Sequence, residues 1–294
     1  MNKPLLVIVG ETATGKSKIA IEVAKVLNGE IICADSWTVR RELNVGTSKP
    51  STKDQRIVPH HLLDIVAADE EFTAAIYKRL AVEKISEIND RAKLPIMVGG
   101  SGLYIDSVIY NYGFLDAGDR DKRQDYNNKT VEELQNIANN SGLSMDSIDT
   151  RNKRRIIRFI ESNGILPTKE DLRDNTLVIG IKCDSFTLKA NIERRVDLMI
   201  KSGLEQEVRL LVDKYGWDCE ALRGVGYKQW RGFVEGSQSL SETREQIVNA
   251  TLSLAKKQRT WFKRNKSIQW LIQPVNTADI VELATTLLST NHFN

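Results

Sequence analysis

The sequence predicts an α/β fold: a parallel sheet flanked by helices, with a small helical insertion. Three observations predict it. Residues 4–9, PLLVIV, form a continuous apolar run of the length of a fully buried strand. A glycine-rich turn follows, then KSKIAIEVAKVL with Ile19, Val23 and Leu27 at helical spacing. GEIICADS then supplies a second buried strand that closes at Asp35. Strand, helix and strand within the first 35 residues make a βαβ unit, which calls for a parallel sheet.

The later elements extend the pattern. Asn28-Gly29 stops the first helix. FTAAIYKRLAVEKISEIND has helical spacing, and LPIMVGG and TLVIGIKC (176–183) are further buried strands. Between those two strands, residues 111–148 turn polar, and Thr130-Val131-Glu132-Glu133 reads as a reciprocal helix cap. The core is therefore expected over 1–111 and 149–294, with a helical insertion over 112–148. The last third reads as helical. In REQIVNATLSLAKKQRTWFKR, Ile247, Ala250, Leu254 and Trp261 share one face, and Lys256, Arg259 and Lys263 share another. Residues 270–272 suggest a final strand before a last helix.

Composition narrows the class. Of 294 residues, 41% are hydrophobic and 28% charged, a balance that argues against global disorder. No apolar run is long enough to span a membrane, and the N-terminal run leads into a glycine motif, unlike a signal peptide. The three cysteines, Cys33, Cys183 and Cys219, form no CxxC pair and point to a reducing cytosol. They are too scattered to build a zinc site. The formal net charge of +3 is small, but it is clustered. Residues 151–158, RNKRRIIR, hold five cations and no anion, and 254–267, LAKKQRTWFKRNKS, hold six and none. Such blocks suit a polyanion, although a solvated helix face explains charge alone equally well.

The sharpest motif is Gly10-Glu11-Thr12-Ala13-Thr14-Gly15-Lys16-Ser17, which matches G-x-x-x-x-G-K-[ST] between a strand and a helix. Gly10 and Gly15 let the backbone curl so that amide groups face phosphate oxygens. The following helix adds its positive end. Lys16 neutralises the outer phosphate, and the Ser17 hydroxyl can ligate Mg²⁺. The core is thus expected to be P-loop NTPase-like. Asp35 is the candidate acid beside the loop, as metal ligand or general base. Strand ends face the ligand crevice in open parallel sheets, which brings Thr12, Lys16, Asp35 and Ser101 together.

GETATGKS, ADSWTVRRELNVGTSKP, VPHHLLDIV, VGGSGLYI, RNKRRIIRFIE, ALRGVGYKQW and KKQRTWFKRN follow one another across nearly the whole chain. In this order they resemble the bacterial tRNA dimethylallyltransferases. The resemblance implies a donor, dimethylallyl diphosphate, held by residues Gly10 to Ser17 with Mg²⁺. It implies an acceptor, the N6 amine of the adenosine 3′ of the anticodon, in a base flipped from the anticodon stem-loop. Asp35 matches the general base. Thr12, Lys16 and Ser17 would stabilise the leaving pyrophosphate. Ser101, where the family usually has Thr, would meet the target nucleotide together with Ser36, Trp37 and Thr38. Arg154, Arg155, Ile156, Ile157 and Arg158, and then Arg223, Gly224, Val225, Gly226, Tyr227 and Lys228, match tRNA-contacting segments. The cysteine usage points to the cytoplasm, and nothing in the sequence demands more than a monomer.

This chain departs from the family pattern in places. Thr38 and Arg40 stand where Gln and Tyr are common; loss of the Gln amide removes a reader of the adenine edge, and Arg40 is free to reach a phosphate. Glu11 replaces a usual Pro and is expected to point away from the phosphate site. Adjacent His60 and His61 point to opposite sides of an extended chain and suit structural roles. Trp261 is expected in the core and Tyr227 at the RNA backbone. Three rival readings stay open: a P-loop small-molecule or nucleoside kinase, an isopentenyltransferase acting on free adenine nucleotides, and a non-catalytic tRNA binder.

Overall fold

A computed structural model describes residues 3–115 and 118–289 of the chain. The chain order is β1 (Leu5–Gly10), α1 (Lys16–Val26), β2 (Gly29–Ala34), α2 (Thr52–Ile57), β3 (His60–His61), α3 (Ala74–Asp90), β4 (Leu94–Gly99) and α4 (Gly102–Ile109). Next come α5 (Arg120–Asn128), α6 (Val131–Asn140), α7 (Lys153–Glu161) and β5 (Thr176–Lys182). The chain closes with α8 (Ser185–Lys201), α9 (Leu204–Tyr215), α10 (Arg231–Val234), α11 (Leu240–Phe262), β6 (Ile268–Ile272) and α12 (Thr277–Ser289).

Six strands form one sheet in the order β3-β2-β4-β1-β5-β6, and every pairing is parallel. This is the expected α/β architecture. All six residues of β1, β2 and β4 are buried, as a parallel sheet covered on both faces requires. Leu6, Ile8, Ile96 and Val98 share a core with Ile19 and Val23 of α1 and with Ile280 and Ala284 of α12. A second core gathers α8, α9 and α11 around Ile192, Val196, Val208, Ile247 and Ala255. Each large side chain so enclosed contributes about 1.5–3 kcal/mol. Asn28, at φ 50°, supplies the left-handed residue after α1, the conformation that releases a chain from a helix.

The chain divides into two compact units, one of residues 1–109 and 172–294, the other Tyr110–Asp171. The second unit is the helical insertion, and it is larger than the 112–148 read from sequence. It takes in α7, because Ile156 and Ile157 are buried against Leu134 of α6. Thr130 caps α6 through the expected reciprocal bonds with Glu133. Arg123 of α5 donates to Glu161 of α7 at 2.7 Å. Within the larger unit, Phe262 of α11 is the buried aromatic. Trp261 is only half-buried and donates its indole N–H to Asp106 at 2.8 Å.

Candidate active site

The site lies at the C-terminal ends of β1, β2 and β4. β1 opens at Gly10 into the loop that ends at α1. Gly10 has φ 152°, and a Cβ there would sit 2.4 Å from the Ile181 carbonyl oxygen; Gly15 has φ 81°. Both positions need glycine. The Thr14 hydroxyl donates to Glu11 O at 2.8 Å, so it staples the loop. Other side chains brace the loop from outside: Asn191 donates to Ala13 O at 3.3 Å, and Gln273 donates to Thr14 O at 2.8 Å. The Glu11 side chain turns into the protein, where the Arg259 guanidinium forks onto both of its carboxylate oxygens. Arg259, half-exposed itself, is thus committed to a buried carboxylate.

One pocket collects Thr12, Lys16, Ser17, Asp35, Trp37 and Thr38, and it also contains Arg195 of α8. The Lys16 ammonium donates to Glu11 O at 3.0 Å. Burial and the Arg195 charge lower its pKa to about 8. Burial likewise lowers that of Arg195, against the pull of Asp35. Arg195 donates to Thr47 O at 3.1 Å. Two half-buried cations in one pocket suit an anion. Asp35 follows β2. One of its oxygens accepts the Trp37 N–H at 2.9 Å, and the other meets no donor among the described residues. The Asp35 carboxylate is therefore both a local cap and a pocket group. Ser101 accepts the Ser36 N–H at 3.0 Å, which joins the loop after β4 to the loop after β2. Much of the remaining wall is apolar, from Ile31, Val98, Val196, Met199, Ile247 and Leu254.

Several expected contacts fall elsewhere. Arg40 is only 3% exposed. It donates to the carbonyls of Ala67, Ala68 and Glu70 and pairs with Glu220 at 3.3 Å. A guanidinium so committed is not free for a phosphate. The Tyr227 ring is buried, and its hydroxyl donates to Glu207 at 2.7 Å, so it is not an RNA-backbone contact. Glu207 also accepts the N–H groups of Asn44, Val45 and Gly46. Gly224 lies under the Trp37 ring, and the Gly226 N–H is bonded to Gln229 at 2.9 Å. Val225 and Gly226 line the pocket; Arg223 and Lys228 are exposed. In α7, Arg154 and Arg155 are exposed. Ile156 and Ile157 are core residues there, so these two present nothing to RNA. Arg158 is held by Leu115 O and Glu161.

His60 lines the pocket, with its Nδ1 2.8 Å from Val58 O. His61 sits 2.6 Å from Glu30. Burial of Glu30 would raise its pKa, but hydrogen bonds from Lys93, His61 and Arg91 outweigh it and hold the carboxyl at about 2. The pair therefore has structural partners, as expected of adjacent histidines.

Arg195, Gln258 and Glu207 were not anticipated. Arg195 had a faint signal: it follows Ile192 by three residues and precedes Val196 on an otherwise apolar helix stripe. Such a cation faces inward and needs a reason to be there.

A glycine loop after the first strand, two half-buried cations and a carboxylate at the next strand end define a P-loop α/β protein. The family model for IPP transferase matches residues 38–265. The chain is 38% identical over 284 residues to the tRNA dimethylallyltransferase of Pelotomaculum thermopropionicum, covering 92% of this chain and 90% of that protein. It is 37% identical over 283 residues to that of Bacillus subtilis, covering 91% and 90%. The tRNA isopentenylpyrophosphate transferase of Bacillus halodurans superposes with a TM-score of 0.78 at 32% identity over 98% of both chains. A eukaryotic dimethylallyltransferase acting on tRNA shares the fold, with a TM-score of 0.76 at 23% identity over 92% of this chain and 74% of that one. The chain belongs to the IPP transferase family.

Proposed function

We propose that the protein transfers a dimethylallyl group from dimethylallyl diphosphate to N6 of the adenosine 3′ of the anticodon in tRNA. The observation that carries this reading is the union, in one pocket, of Lys16, Arg195 and Asp35 with an apolar wall. A diphosphate fits the cations, and a five-carbon hydrocarbon fits Val98, Val196, Met199 and Leu254. The N6 lone pair attacks C1 of the allyl group, and the C1–O bond breaks. Its electron pair leaves on the pyrophosphate oxygen, and Asp35 accepts the N6 proton. A neutral exocyclic amine is a weak nucleophile, so proton removal and leaving-group stabilisation share the work. Lys16 and Arg195 meet the charge that develops on the pyrophosphate.

Mg²⁺ fits this donor set. Among the described residues no group of three or more His, Cys, Asp or Glu could hold a metal, but Mg²⁺ needs few protein ligands when substrate phosphates supply the rest. Ser17, exposed at the pocket rim, is the hydroxyl for it. Bound there, the ion would neutralise pyrophosphate charge. Arg154 and Arg155 in one unit, and Arg223 and Lys228 in the other, are exposed cations whose charge suits the phosphates of an anticodon stem-loop. No helix among the described residues is long and apolar enough to cross a membrane, which is compatible with work on tRNA in the cytoplasm.

The test is incubation with Mg²⁺, dimethylallyl diphosphate and unmodified tRNA, followed by mass spectrometry of the digested nucleosides. A dimethylallylated adenosine is expected, and Asp35→Ala should lower its rate by about 10²–10⁴-fold. Transfer of label from γ-labelled ATP to a small acceptor, with no modified adenosine, would make the protein a kinase instead.

A further inference from the structure

We infer that Gln258 is a positioning residue that sets the gap between the diphosphate cradle and the loop carrying Ser101. Gln258 lies on α11 and is 9% exposed. Its Oε1 accepts the Thr12 N–H at 2.8 Å, and its Nε2 donates to Gly100 O at 3.1 Å. One amide thus bridges the loops that follow the neighbouring strands β1 and β4, 88 residues apart in sequence.

The chemistry at each end selects glutamine. Thr12 offers a donor and Gly100 an acceptor, so the bridge needs an acceptor and a donor on one rigid plane. Glutamate would set an oxygen against the Gly100 carbonyl, and methionine would leave both backbone groups without partners. The Gly100 carbonyl is buried, so losing its donor leaves its desolvation uncompensated. Gly100 is matched to this contact, because a Cβ there would lie 2.2 Å from Gln258 Nε2. The next residue, Arg259, locks Glu11 in the same loop. From Gly100 the path continues through Ser101 to the Ser36 N–H, one residue from Asp35. The bridge therefore links the loop that would hold the diphosphate to the segment that carries Asp35.

A displacement needs the attacking nitrogen, the carbon and the leaving oxygen in line, and a misplacement of about 1 Å can cost roughly 10²-fold in rate. Gln258 acts on that alignment, not on binding of the diphosphate itself. The inference rests on the prenyl-transfer reading of the same pocket.

The experiment compares wild type, Gln258→Met, Gly100→Ala and the double variant. It measures single-turnover transfer at saturating tRNA and donor, the Kd of pyrophosphate with Mg²⁺, and thermal melting. Gln258→Met is expected to slow transfer by about tenfold or more, with the pyrophosphate Kd within about threefold of wild type. The double variant should be no slower than the slower single, because both changes break one bridge. If Gln258→Met does not fold, Gln258→Glu, which fills the same volume, is read by the same criteria. A rate within about twofold of wild type, an equal fall in rate and pyrophosphate affinity, or additive losses in the double variant would overturn the inference. A wild-type protein that makes no dimethylallylated adenosine would instead sink the prenyl-transfer reading, and this inference with it.

Discussion

The P-loop pocket and the exposed basic segments both carry cations, but they are built in opposite ways. In the pocket the cations are few, half-buried and tied down. Lys16 is bonded to Glu11 O, Arg195 to Thr47 O, and the loop between them is braced by Asn191, Gln258 and Gln273. At Arg154, Arg155, Arg223 and Lys228 the cations are long, solvated side chains. The first arrangement has met its ordering cost in folding, as groups that stabilise developing charge must. The second must order side chains on binding and is screened by salt.

The largest effect expected from this contrast is at Arg195. Arg195→Met should reduce kcat/KM for dimethylallyl diphosphate by about 10²-fold, the range for losing one preorganised group on a leaving anion. Arg223→Ala under the same steady-state assay should change it by less than about fivefold. Equal losses at the two positions would erase the distinction between pocket and surface.

A smaller effect is expected from pH. Burial, and then the charge of Arg195, lowers the Lys16 pKa to about 8. Pyrophosphate binds the protonated form, so affinity should be complete below that value and decline as pH rises above it. A bound anion favours the ammonium and raises its pKa, so binding near pH 8–9 should take up a proton. Calorimetry in two buffers of different ionisation enthalpy reads this directly. Buffer-independent heats would show that Lys16 does not titrate on binding. Exposed arginines stay charged over this range, so tRNA affinity should not follow the same curve.

The same contrast explains what could be read in the sequence. Gly10 to Ser17 is a spacing that encodes a backbone shape, and the shape places the loop at the end of β1. Asp35 was legible for a related reason: a buried run that ends beside a P-loop must deliver its last residue to the crevice. A block of cations encodes composition and not orientation. RNKRRIIR hides Ile156 and Ile157, which fall on the inner face of α7, and with them the true extent of the insertion. Arg40 was misread because its partners, the carbonyls of residues 67–70, lie on a loop with no pattern of its own. Arg195 and Gln258 come to the pocket from helices more than 150 residues beyond the P-loop, and only tertiary packing brings them there.

The smallest effects are expected at the exposed cations themselves, and they test whether those residues touch RNA at all. Arg154→Ala, Arg155→Ala and Lys228→Ala should each weaken tRNA binding a few-fold while transfer at saturating tRNA stays unchanged. If each contacts a phosphate, each loss should flatten the dependence of log K on log salt by roughly 0.7–0.9. Arg158→Ala should behave differently. It removes a guanidinium already bonded to Leu115 O and Glu161, so it should lower thermal stability and leave the salt slope near that of wild type. A salt slope indifferent to Arg154, Arg155 and Lys228 would return these segments to solvated helix faces, and the polyanion surface would have to be sought among the remaining cations of α11.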